Sequence, residues 1–412
     1  MSETVLVVGA GIGGLCTALT LAPSGRQITV LERDAKPPSD DPDTVFHEWR
    51  HTGVGQLRQS HAFLARLRKM FKRDHPRLLD ELLALGVREL PFDSMLTEEQ
   101  MKTYQPDPGD AELTIITSRR TTLELAMRRY VETLPNVTIR SDFLVRRLIT
   151  EKDQGGVVAV RGVSGECGGI AETLEADITV DSSGKSGFLI DQIKDECVHF
   201  AEEQESSGIL YFTRHYRLKP GMEEPPRIGN PPATGDLGFL KFGVFPGDNG
   251  CFSITIAIPE VEMELRKAIL DPELFHNLTL QMPGLVPWTH ADRSEPVGRV
   301  HGMGDLISRW REVVVDGKPA TRGYFALGDT LIRTNPLYGR GCSFAAASAQ
   351  LLRTTLDEST DPEARALAYH KRLHDELRPY YINQRTQDRS AIKRARQTLT
   401  PSYRKSFRAK LL

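Results

Sequence analysis

The feature that most constrains this sequence is a glycine-rich turn near the N-terminus, between an apolar run and a helical run. Residues 5–8 are all apolar, which is typical of a buried parallel strand, and segment 9–14 (GAGIGG) follows them directly. Residues 15–22 have the apolar pattern of a helix, and residues 27–31 predict a second strand that leads to Glu32. This order of strand, turn, helix and strand predicts the first unit of a parallel α/β sheet.

The glycines and the acid after the second strand have the spacing of a dinucleotide-binding turn. Gly9 allows a tight turn, Gly11 lets the backbone approach a pyrophosphate, and Gly14 lets the helix pack closely on the strand. Glu32 lies where its carboxylate can accept hydrogen bonds from ribose hydroxyls. We therefore predict a dinucleotide site, with a glycine turn that binds no ligand as the alternative. The predicted ligands here are Gly9, Gly11, Ile12, Gly13, Gly14, Glu32 and Arg33.

A second glycine turn follows another apolar strand late in the chain. Residues 324–327 predict this strand, and segment 335–341 (NPLYGRG) leads into a helix of small residues. The Asp329 carboxylate can accept a hydrogen bond from a ribityl or ribose hydroxyl, and the turn lets a helix N-terminus approach a flat electron-accepting ring. An enzyme that uses NAD alone does not need this second site, so the two turns together predict FAD. The predicted ligands here are Asp329, Pro336, Gly339, Gly341 and Cys342.

Composition fits a globular chain and excludes other classes. With 412 residues, 39% of them hydrophobic and 26% charged, the chain is long enough for two or three folding units and is neither disordered nor fibrous. Its net charge of −2 gives no support to a nucleic acid partner. Five separated cysteines, without Cys-x-x-Cys or histidine at metal-ligand spacing, predict no disulfide framework and no metal site. No apolar run reaches the roughly 20 residues of a transmembrane segment, so we expect a cytoplasmic protein.

With these motifs, the chain resembles flavoproteins of the p-hydroxybenzoate hydroxylase fold over most of its length. Segment 9–14 with Glu32 matches the adenosine end of that family, and segment 328–341 matches its late flavin motif. Segment 120–124 (RTTLE) is similar to the Arg-x-x-Leu-Glu helix start of the family. The resemblance implies that Arg120 lies along the phosphate and ribityl side of FAD, with the neighbouring Arg119 as the alternative.

Finer matches resemble the branch of this family that contains polyether-type epoxidases and related tailoring oxygenases, near the tryptophan-halogenase-like proteins. They are segments 53–61, 180–185 and 335–339. Segment 242–246 (FGVFP) is similar to an aromatic-proline strand that lines the substrate side in this branch and in isoprenoid reductases. This resemblance implies oxygen insertion, as hydroxylation or epoxidation, through a flavin C4a-hydroperoxide.

Two departures from the family pattern bear on how the flavin is reduced and on whether the chain is a halogenase. Segment 181–184 (DSSG) lacks the Asp-Gly pair that contacts both FAD and NAD(P)H in single-chain aromatic hydroxylases, so direct reduction by a nicotinamide is not expected to be fast. The halogenases of this fold carry a Trp-x-Trp-x-Ile-Pro motif, and none of Trp49, Trp288 and Trp310 lies in one. Halogenation is therefore a lesser alternative.

The predicted fold class is α/β, with a Rossmann-like FAD-binding domain, an inserted mixed or antiparallel-sheet substrate domain and C-terminal helices. The FAD-binding domain is predicted over residues 1–75, 110–200 and 300–360, and the substrate-binding domain over residues 76–109 and 201–299. Residues 361–412 are predicted to form a basic helical segment. Its basic residues are expected to form a solvated helix face, with an acidic partner or a membrane surface as the alternatives. Residues 64–85 show a helical pattern with many arginines and lysines.

Catalytic residues do not follow from any motif, so they are only candidates. His51 and His61 lie in a segment that crosses above the flavin in the family, and Tyr211 falls on a strand expected to face the ring. Arg333 stands where relatives carry a small or apolar residue, and it can pair with an anionic substrate. Ordinary alternatives are a hydrogen-bonded loop histidine, a core aromatic and a solvent-facing arginine. Weaker candidates are His47, Arg50, His215 and Phe245.

The sequence thus predicts an FAD-dependent oxidoreductase, most simply a monooxygenase of a small organic molecule or secondary metabolite. NADH or NADPH is the expected electron donor, directly or through a separate flavin reductase. The alternatives are a reductase or dehydrogenase of the geranylgeranyl-reductase type, a halogenase-like enzyme, and a flavin-fold binding or escort protein without turnover.

Overall fold

A five-stranded parallel sheet, together with the elements packed against it, forms one layer of the molecule, here named the first layer. The computed structural model describes residues 2–152, 157–197, 199–228 and 231–398. In order across the sheet, the strands are Tyr324–Ala326, Ile178–Asp181, Thr4–Val8, Gln27–Leu31 and Val137–Arg140. Val8 lies beside Leu31 on one side and Asp181 on the other, so the carboxyl ends of these strands meet at one edge. Open parallel sheets bind their ligands outside this edge.

Helices and the strands Phe143–Lys152 and Val158–Cys167 pack against the parallel sheet and bury its strands. Leu6 and Val7, which point to opposite faces of the first strand, are 5% and 0% exposed, as the continuous apolar pattern predicts for a covered parallel strand. The packed helices include Ile12–Leu21, Arg120–Glu132 and Arg340–Glu358. The strand, turn, helix and strand predicted at the N-terminus are therefore confirmed.

A second five-stranded sheet, here named the roof sheet, is antiparallel and has a core of its own. Its strands, in order, are Thr234–Asp236, Lys241–Pro246, Cys251–Pro259, Ile209–Leu218 and Ser294–Met303. Phe275 and Trp288, from short helices beside the sheet, are buried against Phe252 and Ile256 of its inner strands. These helices are Met263–Ala268, Pro272–Leu280 and Val286–Thr289. The predicted antiparallel sheet is confirmed.

Smaller elements connect and extend these two sheets. One small sheet contains Ala62–Phe63, Ile115–Thr117 and Arg88–Leu90, and another contains Thr321–Arg322, Val158–Cys167, Phe143–Lys152 and Ile170–Glu175. A third contains Ala201–Ser206, Ile307–Glu312 and Ile332–Arg333, and Val314–Val315 pairs with Lys318–Pro319. The remaining α-helices are Pro42–Glu48, Ala65–Asp74, Pro76–Ala84, Glu98–Thr103, Phe188–Glu196, Pro362–Glu376 and Arg378–Thr398. Short 3₁₀ turns are Ala22–Ser24, Asp93–Met95, Asp110–Leu113, Gly328–Thr330 and Pro336–Tyr338.

The helical pattern of residues 64–85 is confirmed as two helices with a break between them. Ala65–Asp74 and Pro76–Ala84 are separate helices, and His75 between them has φ −140° and ψ 57°. The ring of Pro76 disfavours helical backbone at the preceding residue, so the apolar periodicity continues while the helix breaks.

The start of the predicted substrate-binding segment 76–109 packs with the parallel sheet. Leu78, Leu82 and Val87 are buried in the same core as that sheet, whereas the roof sheet has a separate core. Helix Pro76–Ala84 also contacts helix Ala65–Asp74. The domain boundaries stay predictions.

The basic C-terminal helix Arg378–Thr398 lies against an acidic strand of the same chain. Arg385 contacts Glu205 at 2.9 Å and also pairs with Glu203, and Arg389 contacts Glu205 at 2.8 Å. The Arg385 side chain is largely covered by this contact, whereas the side chain of Arg389 is 59% exposed, as expected for a solvated basic face. Residues 399–412, with Arg404, Lys405, Arg408 and Lys410, lie outside the described residues. Among the helices described, none combines the length and apolar character needed to cross a membrane.

Candidate cofactor and active site

A cavity of about 690 Å³ lies between the carboxyl edge of the parallel sheet and the roof sheet. Both glycine turns open onto it, and so do Phe242 and Phe245 of the roof sheet. Every predicted cofactor ligand except Gly14 lines this cavity, and so do all four catalytic candidates, His51, His61, Tyr211 and Arg333. The residues predicted at the two distant turns are thus brought together in one site, whose size is that of a ligand pocket.

The first turn has the geometry that its glycines predict. Gly9 has φ 101°, a left-handed conformation, and its N–H donates to the carbonyl of Leu31 at 2.8 Å. A Cβ on Gly14 would lie 1.8 Å from the carbonyl oxygen of Gly9, so this glycine serves helix packing and does not face the cavity. A Cβ on Gly11 would meet only the Val54 side chain, at 3.8 Å, and would project into open space within the cavity.

Glu32, directly after the second strand, accepts hydrogen bonds from backbone N–H groups, one of them in the first turn. Its Oε2 accepts from the N–H of Ala10 at 2.7 Å, and its Oε1 accepts from the N–H of Asp34 at 3.0 Å. Glu32 is 5% exposed and still lines the cavity. A carboxylate oxygen accepts more than one hydrogen bond, so these contacts leave acceptor sites for a ribose hydroxyl.

The two neighbouring arginines at the start of helix Arg120–Glu132 have different surroundings. Arg120 lines the cavity, and its Nε donates to Glu124 at 2.6 Å. Arg119 turns the other way and contacts Asp248 at 2.5 Å and Asp43 at 2.6 Å. Burial lowers the pKa of Arg119, but the hydrogen bonds and charge of these carboxylates outweigh it and raise the pKa. Arg120 is therefore the arginine that faces the predicted cofactor site.

The late turn presents a helix N-terminus to the same cavity. Gly339 has φ 63°, and helix Arg340–Glu358 begins directly after it, as its left-handed conformation allows. Cys342 lies in the first turn of this helix, and burial raises the pKa of its thiol to about 11. Asp329 also lines the cavity and accepts from the Gln56 amide at 3.5 Å. The backbone N–H groups at this helix start are suited to hold negative charge.

A buried polar network that sequence reasoning missed supports the late turn. The Tyr211 hydroxyl donates to Asn335 Oδ1 at 2.6 Å, and Asn335 Nδ2 donates to Asp388 at 2.7 Å. Gln384 donates to the Asn335 carbonyl at 2.8 Å. Burial raises the pKa of Asp388 to about 6, against the lowering effect of the Asn335 hydrogen bond. Tyr211, Gln384 and Asp388 lie far in sequence from the motif that contains Asn335, so no local signal indicates that they meet it.

The pKa values of the two candidate histidines are shifted in opposite directions. His51 Nδ1 lies 3.0 Å from Asp34, its Nε2 lies 3.5 Å from Glu124, and its ring stacks on Trp49. Burial lowers the pKa of His51, but the Asp34 hydrogen bond and the charge of Glu124 outweigh burial and raise it. Burial and the nearby Arg120 lower the pKa of His61 to about 3. His61 is therefore neutral at physiological pH.

The roof-side candidates border the apolar end of the cavity. Arg333 donates to the carbonyl of Asp305 at 3.2 Å, and within the described part of the chain no carboxylate lies within ion-pair distance of it. Its half-buried side chain lines the cavity and is not the solvent-facing arginine of the ordinary alternative. His47 and Arg50 are exposed and do not line the cavity, and His215 binds the Arg58 carbonyl instead.

The middle motif turns its acid away from the cavity. Asp181 is fully buried, its Oδ2 accepts from the Tyr324 hydroxyl at 2.7 Å, and its Oδ1 accepts from the N–H of Ser183 at 2.9 Å. Burial raises the pKa of Asp181. Ser182, Ser183 and Gly184 line the cavity, but Asp181 does not.

The donor set in this cavity fits FAD. Two side chains that line the cavity have a buried polar atom without a hydrogen-bond partner among the described residues. These atoms are Ser183 Oγ and His51 Nε2, and the latter lies 3.5 Å from Glu124 Oε2. Gly11 leaves room for a diphosphate beside the first helix, and Glu32 and Asp329 offer carboxylates for hydroxyl groups. Arg33 and Arg120 add positive charge. A dinucleotide with a ribityl chain matches this combination of groups.

Comparison with known proteins places the fold. Residues 7–55 match the family described as NAD(P)-binding Rossmann-like domain. Protein Rv3254 of Mycobacterium tuberculosis (strain ATCC 25618 / H37Rv) is 27% identical over 377 residues, which cover 86% of this chain and 73% of the relative.

Two solved structures cover nearly the whole chain. The flavin-dependent brominase Bmp2 has a TM-score of 0.67 at 16% identity, covering 99% of this chain and 92% of its own. PqsL of Pseudomonas aeruginosa, described as a probable FAD-dependent monooxygenase, has a TM-score of 0.65 at 15% identity, covering 96% and 98%. The chain shares the fold of these flavin-dependent proteins, which confirms the predicted α/β class.

Proposed function

We propose that this protein binds FAD non-covalently and is a monooxygenase that hydroxylates or epoxidises a small organic molecule. The observation that carries the proposal is the single cavity that joins both nucleotide turns to the wall of the roof sheet. The fold shared with a brominase and a monooxygenase that use flavin supports it.

The residues of the chain have three tasks in this proposal. Glu32 and the turn at Gly11 bind the adenosine diphosphate half of FAD, and Arg120 lies along its phosphate and ribityl side. Asp329 and the N-terminus of helix Arg340–Glu358 bind the flavin half. FAD, when bound, supplies the redox chemistry with dioxygen. The helix N-terminus stabilises negative charge on the ring, and the roof sheet excludes water from the reacting face.

The roof side of the cavity indicates the class of substrate. Phe242, Phe245, Met303 and Leu306 form a largely apolar wall. Arg333 adds a positive charge that no carboxylate of the described residues pairs at close range. A largely apolar molecule with one anionic or hydrogen-bond accepting group would fit this surface. Neutral His61 donates its Nδ1–H to the Gln59 carbonyl, so its free Nε2 can accept a hydrogen bond there.

Electron supply is the second part of the proposal. Because Asp181 is buried against Tyr324 and does not line the cavity, the middle motif offers no carboxylate to a nicotinamide. We infer that NADH or NADPH alone reduces the flavin slowly, and that a separate flavin reductase or bound substrate is needed for fast reduction.

Anaerobic stopped-flow mixing of the purified, FAD-loaded protein with NADH and NADPH tests both parts. We expect a yellow protein that releases FAD on denaturation, bleaches slowly with either donor, and reoxidises in air. A colourless protein that takes up no FAD on titration would contradict the flavoenzyme proposal. Saturable bleaching at or above about 10 per second, a typical turnover rate, would contradict slow reduction only.

A further inference from the structure

Two histidines and a glutamate meet on the side of the molecule formed by helix Pro362–Glu376, and none of the three lines the cavity. His370 and His374 are one helical turn apart, so their rings lie on the same face, with centroids 4.4 Å apart. Both face Glu312, the last residue of strand Ile307–Glu312. His374 Nε2 lies 2.8 Å and His370 Nδ1 lies 3.6 Å from the same oxygen, Glu312 Oε2.

These distances match the spacing of ligands around a small metal ion. Zinc binds imidazole nitrogen and carboxylate oxygen at about 2.0–2.2 Å, which puts two tetrahedral ligands about 3.4 Å apart. The two nitrogen-to-oxygen distances, 2.8 and 3.6 Å, bracket this value, and all three ligand atoms lie within 4.8 Å of one another. Small side-chain rotations would give all three atoms a shared centre.

The surroundings suit an ion with one open position. The side chains of Glu312, His370 and His374 are 21%, 21% and 34% exposed, so an ion can enter and a water can complete four ligands. Trp310 packs its ring edge-on against His374 at 5.3 Å and supports that ring on one side. A hydrogen bond between His374 and Glu312 accounts for only two of the three residues. The distance of 3.6 Å between His370 Nδ1 and Glu312 Oε2 is too long for a second hydrogen bond.

We propose that Glu312, His370 and His374 form a binding site for a divalent transition-metal ion, with zinc as the best match to two imidazoles and one carboxylate. The proposal departs from the expectation that the chain binds no metal. Glu312 lies on a strand remote in sequence from the helix, so only the fold brings the third ligand to the histidine pair.

The ion would tie the C-terminal helices to the layer that borders the cavity. Strand Ile307–Glu312 pairs with Ile332–Arg333, which carries the cavity arginine, and helix Pro362–Glu376 packs against Arg340–Glu358. A metal bound only by the folded chain stabilises it by mass action. We therefore expect a structural effect and no part in the redox reaction.

A second group of possible ligands, Glu32, Asp34 and His51, lies at the predicted adenosine end of the cavity. Its members already bind the backbone and one another, since Glu32 accepts from two N–H groups and His51 contacts Asp34. This group belongs to the cofactor site already described, so the zinc titration described next uses FAD-loaded protein.

The test is zinc titration of the untagged, FAD-loaded, chelator-treated full chain by calorimetry, repeated with cobalt to record its d–d absorption. We expect one zinc per chain and a tetrahedral cobalt spectrum. His374→Ala and Glu312→Gln should each weaken zinc binding by about tenfold or more. At zinc about 100 times the Kd, the Tm of the wild type should rise by about 3 °C.

His290→Ala is the matched control, because His290 lies 3.4 Å from Asp292 in an exposed histidine–carboxylate pair without a third ligand. It should leave zinc binding unchanged. Circular dichroism and retained FAD show whether each variant is folded, and Glu312→Gln keeps the side-chain volume if His374→Ala misfolds. Absence of stoichiometric binding, or equal affinity in His374→Ala, Glu312→Gln and wild type, would overturn the metal site without touching the proposed oxygenase function.

Discussion

The two walls of the cavity recognise ligands by different means. The floor, defined as the turns at residues 9–14 and 335–341 together with Glu32 and Asp329, borders the cavity largely through glycine backbone and these two acids. The roof sheet contacts it through side chains such as Tyr211, Phe245 and Met303. A wall made of backbone needs contiguous glycines, whereas a wall made of side chains can be assembled from distant strands. The difference explains why the floor suits a constant cofactor and the roof a particular substrate.

The largest expected effects come from two glycines of the floor, one of which should change stability and the other FAD affinity. Gly14→Ala should cost about 3 kcal/mol or more of unfolding free energy, because its Cβ would lie 1.8 Å from the Gly9 carbonyl. Gly11→Ala should leave the Tm within about 2 °C, because its Cβ meets only Val54 at 3.8 Å, yet lower FAD affinity by about 100-fold. Thermal unfolding and fluorescence titration with FAD measure the two effects.

Two outcomes would contradict this comparison of Gly11 and Gly14. If Gly11→Ala binds FAD as tightly as wild type, the diphosphate does not approach this turn and the assignment of the floor is wrong. If Gly14→Ala is as stable as wild type, helix Ile12–Leu21 has room to shift, and close packing is not the reason for that glycine.

The acids of the floor should give the next largest effect. Glu32→Ala and Asp329→Ala should each weaken FAD binding by about ten- to a hundredfold, since a charge-assisted hydrogen bond contributes about 1.5–3 kcal/mol. Glu32→Ala should have the larger effect, because Glu32 also accepts from the N–H groups of Ala10 and Asp34. Equilibrium dialysis of FAD measures both affinities. Wild-type affinity in both variants would show that neither acid binds a ribose or ribityl hydroxyl.

The floor could be predicted from sequence because its requirements are local. Gly9 needs φ 101° and Gly14 cannot carry a Cβ, so the residue type itself records the geometry. The neighbouring Arg119 and Arg120 show the limit of local prediction. Only the structure shows that Arg119 contacts Asp248 and that Arg120 lines the cavity. The contact between Asn335 and Asp388 joins a turn to the C-terminal helix, and no local pattern encodes it.

A smaller effect is expected at the roof. Tyr211→Phe removes the hydroxyl that donates to Asn335 at 2.6 Å, which should lower stability by about 0.5–1.5 kcal/mol. FAD affinity should stay within about threefold of wild type, because the lost contact supports the turn and does not bind the cofactor. Denaturant unfolding and FAD titration measure both quantities, with Tyr216→Phe, in the roof-sheet core, as the control. A loss of FAD affinity as large as that of Asp329→Ala would make Tyr211 part of the floor.

The last expected effect is a pH dependence at the junction of the two walls, where Asp388 contacts Asn335. Burial raises the folded-state pKa of Asp388 to about 6, above the ordinary value of about 3.9 in an unfolded chain. The folded state then binds the proton more tightly. The stability from this group is fully present below about pH 4 and is lost as the pH rises through about 6.

Asp388→Asn keeps a carbonyl oxygen that can accept from Asn335 but carries no charge, so it cannot lose stability by ionising there. The Tm of this variant relative to wild type should therefore rise between pH 4 and 6 and stay constant above that range. Thermal unfolding at several pH values measures this difference, with the exposed Asp195→Asn as the control for a general change of charge. A Tm difference that does not change with pH would mean that Asp388 ionises in the folded protein as it does in the unfolded chain, and that the network beneath the late turn accepts the charge without cost.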